Sequence, residues 1–157
     1  MNVATNILDN IYFNKSMHTL LYRVIIMPER GCLMDYKAIF SIQELQNYLS
    51  GAAVVAFDFE TAPDEKYRNE DKAALDAHKS HIVGISFSVA EDSGVYLPTA
   101  HRIGRNAEGL IKIWAWLAGF FTGASITKIA HNLAFESQFL YAQGIVVQEP
   151  CYDTIAA

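Results

Sequence analysis

The 157-residue sequence predicts an α/β domain, and three observations carry that expectation. Short apolar runs of strand length alternate with segments whose apolar residues recur at helical spacing. Capping and turn residues punctuate them at the expected places. A hydrophobic content of 52% in a chain of this length supports one real core and leaves no room for two full domains, so a single soluble globular unit is expected.

Residues 1–34 are mixed in character with no clean period and are set aside as an N-terminal extension; the domain is expected over 35–157. Tyr36 to Phe40 reads as a short strand. Ser41-Ile42-Gln43-Glu44 has the form of a capping box, and Leu45, Tyr48 and Leu49 make an apolar stripe that Gly51 ends. A strand follows over about Ala53 to Glu60. Ala62 to Ser80 is rich in charge and reads as a solvated excursion, with a short helix near Asp71 to Ala77. Ile82 to Val89 and Gly94 to Pro98 are expected as strands joined through the turn-like Glu91-Asp92-Ser93-Gly94. Asn106 is placed as the cap of a helix in which Leu110, Ile113, Trp114, Leu117 and Phe121 share one face, a stripe that core packing explains. Ile126 to Ala130 is a further strand, Leu133 to Gln143 a helix closed by Gly144, and a short strand near Tyr152 to Ile155 comes last.

Within this frame Phe57-Asp58-Phe59-Glu60-Thr61 is unusual, because two carboxylates stand where a buried strand should carry hydrophobes. Alternate residues of a strand share a face, so Asp58 and Glu60 point one way and Phe57 and Phe59 the other. Two readings follow: a strand running out into water with both acids hydrated, or paired carboxylates that need a divalent cation between them. On the last long helix, Asn132, Leu133, Glu136, Phe139, Leu140 and Gln143 fall on one side. Glu136 is therefore aimed inward one turn past a helix start, where unpaired amides favour an anion; the plainer alternative is a Glu that only supports its helix turn. Two acids on a strand and one on a helix match what a two-metal nuclease needs.

Composition narrows the partners. A formal charge of −5 argues against a broad basic grip on nucleic acid, so any such contact is local. No stretch approaches the roughly 20 apolar residues of a membrane span, and the start lacks a secretory pattern, so a cytoplasmic protein is expected. Cys32 and Cys151 have no metal-type spacing and are read as reduced thiols without function.

The segment Phe57 to Thr61 resembles the first motif of the DEDD-type 3′–5′ exonucleases, and Lys128-Ile129-Ala130-His131-Asn132-Leu133-Ala134-Phe135-Glu136 resembles their second. The nearest likeness is to the proofreading domain of family A, DNA polymerase I-type polymerases. It extends through Asp76 to Ser88, Tyr96 to His101 and Tyr152 to Ala157, and so over about Tyr36 to the last residue. The resemblance implies a ribonuclease H-like fold, a mixed sheet flanked by helices, and removal of nucleotides from single-stranded DNA or a DNA 3′ end with two divalent ions, Mg²⁺ or Mn²⁺. It assigns metal binding and catalysis to Asp58, Glu60 and Glu136, and substrate contact to Thr61, Asn132 and Phe135.

Two departures from the family stand out. Glu136 occupies a position where the family usually has Asp, one methylene shorter. The third motif, a Tyr or His followed by an Asp, has no counterpart before Ala157, which implies a C-terminally incomplete domain. His131, His101 and Asp153 are read as structural rather than as replacements for it. Three functional expectations follow. The chain is a nuclease, the exonuclease part of a phage-like polymerase, whose missing acid is supplied by another chain such as the missing part of its own domain or proves dispensable; or it is a catalytically silent module binding nucleic acid or a polymerase partner; or it is a fragment that self-associates through exposed apolar surface.

Overall fold

The computed structural model describes residues 35–155, so the predicted extension 1–34 and Cys32 lie outside the described residues. Six strands form one mixed sheet: β1 (Asp35–Ala38), β2 (Val54–Pro63), β3 (Ser80–Ser88), β4 (Ser93–Pro98), β5 (Thr127–Ala130) and β6 (Cys151–Asp153). Among the described residues three α-helices accompany it: α1 (Ile42–Leu49), α2 (Leu110–Thr122) and α3 (Leu133–Ala142). The spatial order is β1-β4-β3-β2-β5-β6. Strands β2, β3 and β4 run antiparallel in succession, while β5 pairs parallel to β2 and β6 parallel to β5. This is the α/β mixed sheet flanked by helices that the sequence predicts. Among the described residues no helix is long and apolar enough to cross a membrane.

The local grammar of the sequence explains most elements. Ser41 Oγ accepts the Glu44 amide at 3.3 Å, and the Glu44 carboxylate reaches back to the Phe40 amide at 3.0 Å, one residue before the cap. Leu45 and Leu49 bury the apolar stripe, and Gly51, at φ +76°, ends α1 in the left-handed conformation that glycine adopts without cost. Strand β2 alternates as expected: Val55, Phe57 and Phe59 are buried on the face against which α2 packs, with Phe57 and Phe121 ring centroids 4.9 Å apart. Ile113, Leu117, Phe120 and Phe121 bury the matching face of α2. The C-terminal end of α2 is met by Lys128, fully buried on β5, whose ammonium donates to the Gly123 carbonyl and so answers the negative end of the helix.

Two predicted details differ. Asn106 does not cap α2; Gly109 stands at that position, because the Asn106 side chain is consumed by both backbone groups of His101, accepting from its N–H at 2.8 Å and donating to its carbonyl at 2.9 Å. The excursion after β2 contains no α-helix near Asp71 to Ala77, only single 3₁₀ turns at Glu65–Tyr67 and Ala73–Leu75. Nor is it wholly solvated. Ala73 is buried, and the Ala74 carbonyl accepts from the Thr61 hydroxyl at 2.6 Å and from Ser80 Oγ at 3.3 Å, which fastens the excursion to the ends of β2 and β3.

Candidate active site

The sheet topology sets up the site. Strand β5 accompanies β2 only through the pairs Val54 to Thr127, Val55 to Lys128 and Ala56 to Ile129, and then leaves for α3. Asp58 and Glu60 therefore lie where β2 has lost its parallel neighbour, at the carboxyl end of a central strand, the usual place for a cleft in open α/β sheets. They share the face opposite Phe57 and Phe59, Glu60 buried and Asp58 half-buried.

Helix α3 brings the third acid. Its first residues follow Asn132, which adopts a left-handed φ of +72° and makes no side-chain cap. The cap comes from β6 instead, where the Asp153 carboxylate accepts the Asn132 and Leu133 amides, both at 3.0 Å, and is held below the usual carboxylate range by the amides of Ile155, Asn132 and Leu133. The predicted helix-start stabilisation of Glu136 thus goes to Asp153, since that carboxylate occupies the free amides. Glu136 is 1% exposed, and its Oε2 is a buried side-chain oxygen with no hydrogen-bond partner among the described residues.

Electrostatics tie the three acids together. Burial pushes Asp58 up to about 7. Burial and then the charge of Asp58 push Glu60 up to about 7. Glu136 rises to about 8 through burial first and the charge of Asp58 next, against a partial pull downward from backbone amides that include Phe59. Glu136 therefore sits against β2 within the field of Asp58, turned away from bulk water. The side chains do not close into a finished ligand set: among the described residues no three His, Cys, Asp or Glu groups are close enough to share one ion. Their chemistry nonetheless fits a hard divalent cation, because three desolvated carboxylates, one with an unsatisfied oxygen, lack positive charge between them.

The predicted substrate residues are placed unevenly. Asn132 is exposed at the start of α3, and Phe135 is half-buried with its ring 4.9 Å from that of Phe139. Thr61 is buried after a register shift that follows Glu60, and its hydroxyl proton is committed to Ala74, so it fastens the excursion rather than reaching into the cleft. On α3, Gln138 donates to the Leu75 carbonyl at 3.2 Å and ties the same excursion to the helix carrying Glu136. The sequence gives no sign of that contact.

On the acid-bearing face Tyr96 and His101 also meet, with Tyr96 Oη 2.6 Å from His101 Nε2. From the sequence His101 reads as structural and Tyr96 carries no signal of its own; the available signal is Gly84, an otherwise unexplained glycine inside a strand.

Comparison with known proteins places the chain in a family. A sequence profile for a family described as 3′-5′ exonuclease matches residues 36–157. A DNA polymerase I of Chloroflexus aurantiacus is 29% identical over 117 residues, covering 74% of this chain and 11% of that protein. A DNA-directed DNA polymerase of Pseudomonas phage M6 is 35% identical over 104 residues, covering 65% of this chain and 15% of that protein. The chain thus spans only a small part of the length of these relatives. Trypanosoma brucei RNase D is similar in fold, with a TM-score of 0.56 and 14% identity over 77% of this chain and 38% of its own. With a family match across residues 36–157, the chain belongs to the 3′–5′ exonuclease family of DNA polymerase I-type enzymes.

Proposed function

We propose that Asp58, Glu60 and Glu136 hold divalent cations and that the chain hydrolyses phosphodiester bonds at DNA 3′ ends as the proofreading part of a phage-like polymerase. In this reading 35–157 is the N-terminal portion of the exonuclease domain and 1–34 an extension to it. The observation that carries the reading is the buried, unpartnered Oε2 of Glu136 within the field of the desolvated Asp58 carboxylate. Bound Mg²⁺ or Mn²⁺, two ions in this reading, would supply an activated water and stabilise the leaving oxygen.

The chain's own residues do the rest. Asp58 and Glu60, as carboxylates, would hold the cations together with Glu136, which is carried on a helix whose start Asp153 fixes. Asn132, exposed beside that helix start, hydrogen-bonds the terminal nucleotide, and Phe135 offers its ring to the terminal base. A single-stranded end fits better than a duplex, since the formal charge of −5 affords little general attraction for phosphate.

The test is incubation of a 3′-labelled single-stranded oligonucleotide with the full chain and Mg²⁺ or Mn²⁺. Stepwise shortening that chelator stops and Asp58→Ala abolishes is the expected result. Tight oligonucleotide binding with no shortening would instead assign the chain to a silent, nucleic-acid-binding role.

A further inference from the structure

Glycine inside a strand calls for a reason, and Gly84 has one. A Cβ built on it would lie 1.8 Å from Tyr96 Oη, so the phenol occupies the space that a side chain would fill. Gly84 stands directly opposite Glu60 in the antiparallel β2–β3 register. Residues so paired point to the same face with Cβ atoms roughly 4.5–5.5 Å apart. Tyr96 Oη therefore stands roughly 3–7 Å from the Glu60 Cβ, a separation that a glutamate rotamer can close. The electrostatics agree, since burial first and the charge of Glu60 next hold the Tyr96 phenol above its ordinary range.

His101 fixes the other side of the phenol. Its Nε2 lies 2.6 Å from Tyr96 Oη, and its backbone is clamped at both N–H and carbonyl by Asn106. Burial holds the imidazole below its ordinary range, which favours the neutral ring with one N–H. Of two acceptors available to the phenol proton, a carboxylate is stronger than a neutral ring nitrogen.

We propose that Tyr96 and His101 are positioning residues for Glu60: His101 Nε2–H donates to Tyr96 Oη, and the phenol O–H thereby turned outward donates to the Glu60 carboxylate and fixes its orientation. The proposal rests on the reading of Glu60 as a cation-holding group, and assigns its supporting shell. Such outer partners set ligand orientation, and their loss commonly costs 10–100-fold in metal affinity.

Mn²⁺ binding to the full chain is measured by calorimetry beside steady-state shortening of the oligonucleotide. Tyr96→Phe is expected to weaken Mn²⁺ binding about tenfold and to lower kcat with the oligonucleotide KM unchanged. His101→Leu does the same, the double variant is no worse than either single, and His101→Gln, whose amide N–H replaces Nε2–H, restores function. Wild-type Mn²⁺ affinity in Tyr96→Phe, losses that multiply in the double variant, or a His101→Gln variant as impaired as His101→Leu overturn the proposal. A cycle of Glu60→Gln and Tyr96→Phe read by urea midpoint, with neither metal nor DNA, separates it from the nuclease reading. Should the wild-type chain neither bind Mn²⁺ nor shorten DNA, coupled midpoints still support the Tyr96–Glu60 contact, and additive midpoints overturn it.

Discussion

Glu136→Gln tests the central feature of the site, because it keeps the shape of the side chain and removes only its charge. In the folded protein Glu136 titrates at about 8 rather than 4.5, raised first by burial and then by Asp58. The folded state therefore holds this proton more tightly than the unfolded chain does. Stability from this group is fully present below pH 4.5 and is lost as pH rises toward 8. At pH 7 the loss is about 2.5 pH units at 1.36 kcal/mol each, or about 3 kcal/mol, which Gln does not suffer. With a urea m-value of about 2 kcal/mol/M the variant's midpoint should exceed wild type by about 1.5 M at pH 7, relative to their difference at pH 4. The assay is urea unfolding of both proteins from pH 4 to 8 in chelator. Mg²⁺ should then raise the wild-type midpoint and leave the variant's unchanged. A difference between the two proteins that stays constant across this pH range would refute the claim of a desolvated, uncompensated carboxylate.

Three other perturbations probe the scaffold around that carboxylate. Thr61→Val removes the hydroxyl bond to Ala74 and should cost about 1 kcal/mol, with faster tryptic cleavage at Lys66, Arg68 and Lys72 as its local readout; unaltered cleavage would mean that the excursion is held by other contacts. Asp153→Ala frees the first amides of α3 and should lower both the thermal midpoint and Mn²⁺ affinity, since Glu136 rides on that helix; unchanged Mn²⁺ binding would count against the coupling. Lys128→Ala empties a fully buried position and uncaps α2, with an expected loss of about 2–4 kcal/mol by thermal or urea unfolding, and a loss below 1 kcal/mol would contradict the burial seen there.

What could be read from the sequence follows from the range of the interactions involved. The inward pairing of Asp58 with Glu60 follows from a period of two, and the burial of Glu136 from a period of 3.6, both local rules that the chain obeys. Ser41 and Gly51 likewise act within a turn of their helix. Most of the misses are non-local. Asp153 reaches the amides of Asn132 and Leu133 only because β6 lies beside β5 in parallel register. Asn106 pairs with a backbone segment rather than a helix end, and the excursion's anchoring depends on Thr61 and Ser80 meeting one carbonyl from two strands. Tyr96 becomes a neighbour of Glu60 only through the registers of two successive strand pairs and the missing side chain of Gly84. No composition or spacing rule carries that information.

The same contacts explain why the acids can be held together at all. Three desolvated carboxylates would ordinarily relax outward to water, and two elements prevent it here. Asp58 and Glu60 are fixed by a strand paired on its far side to β3 through eight residue pairs. Glu136 is fixed by a helix whose first turn is bound to Asp153 and whose Phe139 and Leu140 are in the core. Because the restraints lie in the sheet and the core, the repulsion cannot be released by a side-chain rotation alone, and it is stored as a preference for protons or cations. In the proposed reading a divalent cation is the occupant that neutralises more than one carboxylate at once, so metal would displace protons as pH rises through the range of about 7 to 8 in which the acids ionise.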